Sequence, residues 1–591
     1  MRFRASEVAA AVGGELVGDD VTLDGATQDS RAVTPGCLFV PLVADRDGHG
    51  FIDGAMAGGA GAHLTSGAIG AGTAIRVPDT AVALCDLGSA ARASTTARVV
   101  AVTGSVGKTS VKDLTAAVIS KGGSTHASER SFNNEIGVPL SILGAPEDVD
   151  FLVLEMGARA EGDIARLAGI ARPDVGVVTT VAMAHTSAFG SLEVVARTKG
   201  ELLDGLPPDG CAVLNADDDL VMGQAGRARC PILTFGERGE VRARDVSLDD
   251  LLRPAFRLES PWGRTEVRLD VHGAHMVSNA LAAAAVGLFL GLSPEEVAAG
   301  LSEARLSPWR MEVATAPSGL VVVNDAYNAN PASMAAGLEA LASLAVSGRR
   351  IAVVGLMAEL GGYEATAHSE VADLADGFGI DLLAVGTDLY GVAQLAGIDE
   401  ASAHLAGLAL GDGDAVLVKG SRVAGLEALA AYRREDVASA MQDIETLHDR
   451  LRAAHRAVTG DDVHDALRQP RLVADLREKE RGEGGIFGGF QHHRVAHRDG
   501  GRDFPREHQE RKVPRDDLTG DAQRLAVRKF GVLQLCHPCV VVEMAGDERD
   551  VDVAAFADRL AVVEGFQHRK EPGMFLDQSR QRVEFARALV A

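Results

Sequence analysis

The sequence predicts an α/β chain of several domains, on three observations. Short β-branched runs alternate with stretches long enough for amphipathic helices. A glycine turn joins one such run directly to a helix. At 591 residues the chain is longer than one hydrophobic core serves, and about three to five domains are expected. Apolar residues make up 46% and charged residues 24%, which suits packed cores and excludes collagen-like, mucin-like and globally disordered classes. Six cysteines, at Cys37, Cys85, Cys211, Cys230, Cys536 and Cys539, are too scattered for a disulfide framework and suit a reducing cytosol.

The net charge of -25 is unevenly placed: residues 456–591 carry 24 acids against 23 Lys plus Arg, so the first 455 residues hold almost all of the excess. An acidic body argues against non-specific binding of nucleic acid or of an anionic membrane, and any phosphate must be met by a local device. The opening MRFRASEVAA lacks the apolar core of a signal peptide. The longest apolar stretch, Ala280 to Leu292, is shorter than the roughly 20 residues a bilayer requires, so a buried helix and a cytoplasmic protein are expected.

Residues 1–85 hold short apolar runs such as Cys37-Leu-Phe-Val-Pro-Leu among many glycines, the pattern of a small α/β domain with tight turns. In residues 86–310, Val99-Val-Ala-Val-Thr, Phe151-Leu-Val-Leu-Glu-Met, Val175-Gly-Val-Val-Thr-Thr-Val and Ala212-Val-Leu-Asn are separated by helix-length segments, which predicts a mainly parallel sheet. Residues 311–455 repeat the rhythm at Leu320-Val-Val-Val-Asn-Asp, Ile351-Ala-Val-Val-Gly, Leu382-Leu-Ala-Val-Gly and Ala415-Val-Leu-Val-Lys, which predicts an open Rossmann-like sheet. Residues 456–591 form an atypical extension with 19 Arg, 4 Lys and neither Trp nor Tyr, and disorder is expected from 481 to 515. Its Cys536-His-Pro-Cys539 has the spacing of half a zinc site, with no second pair following. Two readings of the extension stay open: a disordered appendage, or a stretch created by a frame or gene-boundary error.

The strongest chemical signal is Thr103-Gly104-Ser105-Val106-Gly107-Lys108-Thr109-Ser110 between the run at Val99 and the amphipathic stretch Val111 to Ser120. Glycines at a strand-to-helix turn let backbone N–H groups close around phosphate oxygens, and the helix N-terminus adds partial positive charge. Lys108 neutralises, and Thr109 can reach a magnesium ion. The pattern GxxxxGK[ST] would place glycine at 102, where Val102 stands, so this P-loop is a shortened variant.

With the blocks that follow, this loop resembles the Mur ligase family over residues 25–430. Those blocks are Phe132-Asn133-Asn134-Glu135-Ile-Gly-Val-Pro-Leu, Leu154-Glu155-Met-Gly, Ala184-His185, Thr198-Lys199-Gly-Glu and Leu214-Asn-Ala-Asp-Asp218. Three later blocks are similar to the branch that joins D-alanyl-D-alanine to UDP-N-acetylmuramoyl-tripeptide: Asn324-Asp325-Ala-Tyr327-Asn328-Ala-Asn330-Pro, Gly355-Leu-Met-Ala-Glu359-Leu-Gly361 with His368, and Val418-Lys419-Gly-Ser-Arg422. The resemblance implies a three-domain, ATP-dependent, amide-forming enzyme of cell-wall precursor synthesis that works through an acyl phosphate; a monomer is expected.

The resemblance also implies residue roles. Gly104 to Ser110, Asn279, Arg310 and Asp325 belong with ATP. Thr109, Glu155, His185 and Lys199 belong with two magnesium ions, Lys199 as a carbamate formed with CO₂. Lys108, Lys199, Glu155 and His185 are then the catalytic set. Ser30 and Arg31, in the domain that holds the UDP end, belong with Asn133, Asn134, Asn328 and Asn330 as substrate contacts.

Plainer readings stand beside these. Lys199 is otherwise a solvated helix lysine, Asn328 and Asn330 are turn or capping residues, and Asp29 to Arg31 and Lys419 to Arg422 are structural turns. His368 and Glu359 are read as structural or substrate-positioning. The competing functions are a sister ligase adding one amino acid, including a folylpolyglutamate synthase-like enzyme, and a non-catalytic nucleotide-dependent scaffold.

Overall fold

The computed structural model describes residues 1–129, 131–182 and 189–434, together with two short strands, Arg524–Leu525 and Val551–Asp552. The chain packs as two units, Met1–Asp436 and Val437–Ala591. In the second, the two short strands pair antiparallel. The expectations for 481–515 and for Cys536 to Cys539 lie outside the described residues.

The first unit holds three α/β layers in sequence. The N-terminal sheet has the order Glu15–Val17, Thr73–Arg76, Ala62–Thr65, Leu38–Phe39, Ala26–Thr27, antiparallel at the first pair and parallel elsewhere. The central sheet runs Ile232–Phe235, Cys211–Asn215, Val175–Val178, Arg98–Thr103, Phe151–Glu155, Thr125–Ala127, with every pairing parallel. Its strands are apolar on both faces because helices cover both, and Val99 to Val102 are fully buried. The two edge strands were not anticipated: Thr125–Ala127 is three residues with one apolar side chain, and Ile232–Phe235 starts directly after a proline.

The alanine-rich stretch is a buried helix, as expected, spanning Met276–Phe289. Its small side chains let it lie close along the helix Lys108–Ile119 that begins at the P-loop. Between sheet and helix sits an antiparallel meander, Arg242–Leu248, Pro254–Ser260 and Gly263–Arg268, which departs from the mainly parallel expectation. Phe256 and Leu258 are buried and alternate with the half-buried Ala255, Arg257 and Glu259, which is the period-2 signal it carried.

The last sheet has six strands in the order Glu312–Thr315, Val321–Asn324, Ala415–Lys419, Arg350–Val354, Asp381–Val385, Gln394–Leu395. All but the first pairing are parallel, which is the open Rossmann-like arrangement with an added antiparallel edge.

The division at 85/86 falls inside the helix Thr80–Ser94. Leu84, Leu87 and Ala91 of that helix enter a core that continues into Leu152 and Leu154 of the central sheet. A second core joins Val100 and Val102 to Leu338 and Leu417 of the last layer. The first unit ends at Asp436, short of the division at 455/456. Among the described residues no helix is long and apolar enough to cross a membrane.

Candidate active site

The P-loop turn lies at the carboxyl end of the strand Arg98–Thr103, where the helix Lys108–Ile119 begins. Gly104 has φ +146° and Gly107 φ +84°, conformations that side chains rarely adopt. A Cβ at Gly104 would collide with Thr179 Oγ1, and one at Gly107 would lie 2.6 Å from Asn279 Oδ1. Thr179 Oγ1 donates to Val106 O at 2.6 Å, and Ser105 N donates to Thr180 O at 2.7 Å, so the neighbouring strand end fixes the loop from outside. The helix has no side-chain N-cap, which leaves its first N–H groups and their partial charge to an anion. Val106 and Ser110 complete the turn.

Lys108 folds back over this loop, its Nζ donating to Gly104 O at 2.8 Å and Ser105 O at 3.4 Å. Burial pulls its pKa below the ordinary lysine range, with Glu155 opposing and Arg310 adding to the shift. Thr109 Oγ1 donates to Glu155 Oε2 at 2.8 Å, and Asn133 Nδ2 donates to Glu155 Oε1 at 2.7 Å. Arg310 reaches across from the last layer, its Nη2 donating to Thr109 Oγ1 at 2.9 Å while its guanidinium lies 4.0 Å over the Tyr327 ring. On either side of Arg310, Trp309 and Met311 hold φ of +64° and +50°. That backbone turns the arginine out of the connecting segment and into the cavity.

Lys199 lies in the helix Leu192–Asp204 and is only 3% exposed, so the solvated reading does not hold. Burial first, and then the nearby Lys108, push its pKa down to about 7. On the facing wall, Lys419 Nζ is ion-paired with Asp325 and donates to Asn328 O at 3.0 Å. Asp325 Oδ1 also accepts from Met311 N at 3.1 Å.

These groups line one cavity of about 670 Å³ between the central and last layers. Gly104 to Ser110, Asn133, Asn134, Glu155, Lys199, Asn279, Arg310, Asp325, Asn328 and Asn330 all border it. Two of them have local structural work. Asn330 Oδ1 accepts from Ser333 N at 2.9 Å and caps the helix Pro331–Ser343, while Asn134 Oδ1 accepts from Gly137 N at 2.9 Å within a turn. Ser30 and Arg31 stand apart in the N-terminal layer, where Arg31 is exposed and bonded to Asp29. His185 lies outside the described residues.

Among the cavity residues that carried no assigned role in the sequence are Tyr327, Thr179, His275 and Ser131. Tyr327 and Thr179 brace Arg310 and the P-loop. His275, whose pKa burial lowers, and Ser131, 3.3 Å from Thr109 Oγ1, also line the space. Tyr327 sits inside a block already singled out. Thr179 had only its place one strand away from the loop to mark it.

Oxygen donors at Thr109 and Glu155 suit magnesium. Among the described residues no group of three or more His, Cys, Asp or Glu side chains is clustered to hold a metal. An ion held there would complete its coordination with nucleotide oxygens and water, a common arrangement for Mg²⁺.

Residues 102–287 match the Mur ligase middle domain, and residues 309–422 match the Mur ligase glutamate ligase domain. The chain is 37% identical over 446 residues to the UDP-N-acetylmuramoyl-tripeptide--D-alanyl-D-alanine ligase of Escherichia coli (strain K12), covering 73% of this chain and 98% of the relative. It is 40% identical over 497 residues to the ligase of the same name from Mycobacterium tuberculosis (strain CDC 1551 / Oshkosh), covering 73% and 97%. Among solved structures, MurF from Acinetobacter baumannii superposes with a TM-score of 0.67 at 30% identity, covering 73% of this chain and 98% of that one. MurF from Thermotoga maritima in complex with ADP gives a TM-score of 0.61 at 29% identity, covering 68% and 96%.

Proposed function

This chain belongs to the Mur ligase family, and we infer that it is an ATP-dependent ligase joining D-alanyl-D-alanine to UDP-N-acetylmuramoyl-tripeptide, working as a cytoplasmic monomer. The observation that carries this reading is the cavity that brings a P-loop on one wall to the Asp325–Asn330 and Lys419–Arg422 blocks on the other. Similarity across 98% of the Escherichia coli relative favours the dipeptide as acceptor over a single amino acid.

A carboxylate does not react with an amine near neutral pH, so it has to be activated. The γ-phosphoryl passes to the terminal carboxylate of the tripeptide: a new P–O bond forms, and the bond to the bridging oxygen breaks with its electron pair leaving on ADP. The amine of the dipeptide then attacks the acyl carbon. A C–N bond forms, phosphate departs with the electrons of the C–O bond, and the proton lost from nitrogen leaves with it.

Lys108 and the loop N–H groups orient the triphosphate, and Arg310, fixed on Tyr327, faces the developing charge. Magnesium, when bound, offsets repulsion between triphosphate and carboxylate, and Thr109 and Glu155 would hold it. A second ion calls for another anionic oxygen. Lys199 as a carbamate would supply one, and its pKa of about 7 favours this because only a neutral amine adds CO₂.

The test uses UDP-N-acetylmuramoyl-tripeptide labelled with ¹⁸O in its terminal carboxylate. Label in the released phosphate, together with a pentapeptide product, is the expected result. Unlabelled phosphate would exclude the acyl phosphate route.

A further inference from the structure

Arg310 lies between two residues in left-handed backbone, Trp309 at φ +64° and Met311 at φ +50°, a conformation that bulky side chains hold only under restraint. The restraint comes from one neighbouring block. Tyr327 N donates to Trp309 O at 3.3 Å, and Met311 N donates to Asp325 Oδ1 at 3.1 Å, so the segment is tied down on both sides of the arginine.

Both ties lead to the loop Lys419 to Arg422, which follows the strand Ala415–Lys419 and borders the cavity. On the Met311 side, Lys419 is ion-paired with Asp325. On the Trp309 side, the Arg422 guanidinium lies 4.4 Å over the Trp309 ring, and that ring meets Tyr327 at 6.4 Å between centroids with a tilt of 31°. Arg310 completes the series at 4.0 Å over Tyr327. The four side chains form a ladder with two aromatic rungs between two guanidinium groups. Its outer end is anchored as well, since Arg422 Nη1 donates to Glu427 Oε1 at 2.8 Å.

Arg310 and Arg422 border the cavity, and Trp309 stands behind them, so any influence of Trp309 on a ligand has to pass along the ladder. The inner end is where direction matters: Arg310 Nη2 is aimed at Thr109 Oγ1 of the P-loop helix, 2.9 Å away. An arginine that stabilises developing charge works only if it is already oriented, because reorienting it during the reaction costs the stabilisation it supplies. We propose that Trp309 and Arg422 are positioning residues for phosphoryl transfer, holding Arg310 toward the P-loop and tying its direction to the Lys419 to Arg422 loop on the opposite wall. This deepens the ligase reading and rests on it.

The experiment is steady-state kinetics on the full chain, varying ATP, UDP-N-acetylmuramoyl-tripeptide and D-alanyl-D-alanine in turn, with a double-mutant cycle. Trp309→Leu is expected to lower kcat about fivefold and to leave all three KM values within about twofold, while Trp309→Phe, which keeps an aromatic rung, recovers most of the loss. Arg422→Lys keeps the charge and loses the planar stack, so it should lower kcat about threefold; Glu427→Gln, which leaves the stack in place, should stay within about twofold of the parent. The decisive pair is Arg310→Lys with and without Trp309→Leu. If Trp309 acts through Arg310, adding it to Arg310→Lys costs no more than about a further twofold. A full further fivefold loss, a parental kcat in Trp309→Leu, or losses that appear in KM and follow a falling Tm overturn the assignment while the ligase reading stands. A parent enzyme that makes no pentapeptide overturns both.

Discussion

The two walls of the cavity hold their functional groups by opposite means. The P-loop wall is backbone: glycines at φ +146° and +84°, an uncapped helix start, and a strand end pressed against the turn. The facing wall is side chain: Arg310 on Tyr327, Lys419 on Asp325, and His368 with Tyr390 under the Gly355 to Gly361 loop. A backbone cradle has no slack, because any Cβ enters space that is already filled. A side-chain brace can lose one contact and keep its shape, so substitutions there should be graded rather than absolute.

Gly104→Ala is the harshest test of that contrast. Its Cβ would strike Thr179 Oγ1 in a backbone conformation alanine resists, and product formation should fall by about 10³-fold or more. A residual rate near the parent's would show that the loop is pliable.

Lys199→Met separates function from stability on the same wall. The buried ammonium has a pKa of about 7 against 10.5 for an ordinary lysine, so the unfolded chain binds this proton more readily between those values. The resulting cost to folding is full below about pH 7 and fades as the pH rises toward 10.5. In bicarbonate-free buffer, urea unfolding of Lys199→Met should show a gain of about 1 kcal/mol at pH 7 that shrinks at pH 10. Ligation by that variant should fall about 10³-fold.

On the facing wall, Tyr327→Leu removes the ring beneath Arg310 and should lower kcat/KM about tenfold, read in the ATP series. Asn330→Ala, which removes a helix cap, should lower stability by about 1 kcal/mol and change ligation less than the others do.

The same contrast explains what was legible in the sequence. A backbone cradle is written locally, so Gly104, Gly107, Lys108 and Thr109 could be read from eight consecutive residues. The strand runs of the central and last sheets were equally plain, because strands buried on both faces are continuous apolar text. The antiparallel meander was missed because its polar faces dilute the apolar signal. Braces join residues far apart in the chain: Arg310 to Thr109, His368 to Met357, Lys419 to Asp325. No spacing records such pairs, and only the resemblance to a family brought Arg310 and Asp325 forward. Lys199 shows the limit from the other side, since its burial, and hence its lowered pKa, belongs to the packed helix rather than to the letters around it.

The most direct measurement of the central claim is phosphate release from ATP with UDP-N-acetylmuramoyl-tripeptide, with and without D-alanyl-D-alanine, read together with product mass. A cavity that joins a nucleotide wall to an acceptor wall predicts slow release alone, fast release with the dipeptide, and one pentapeptide per phosphate. Rapid release independent of the dipeptide, or nucleotide binding with no product when every substrate is present, would contradict it.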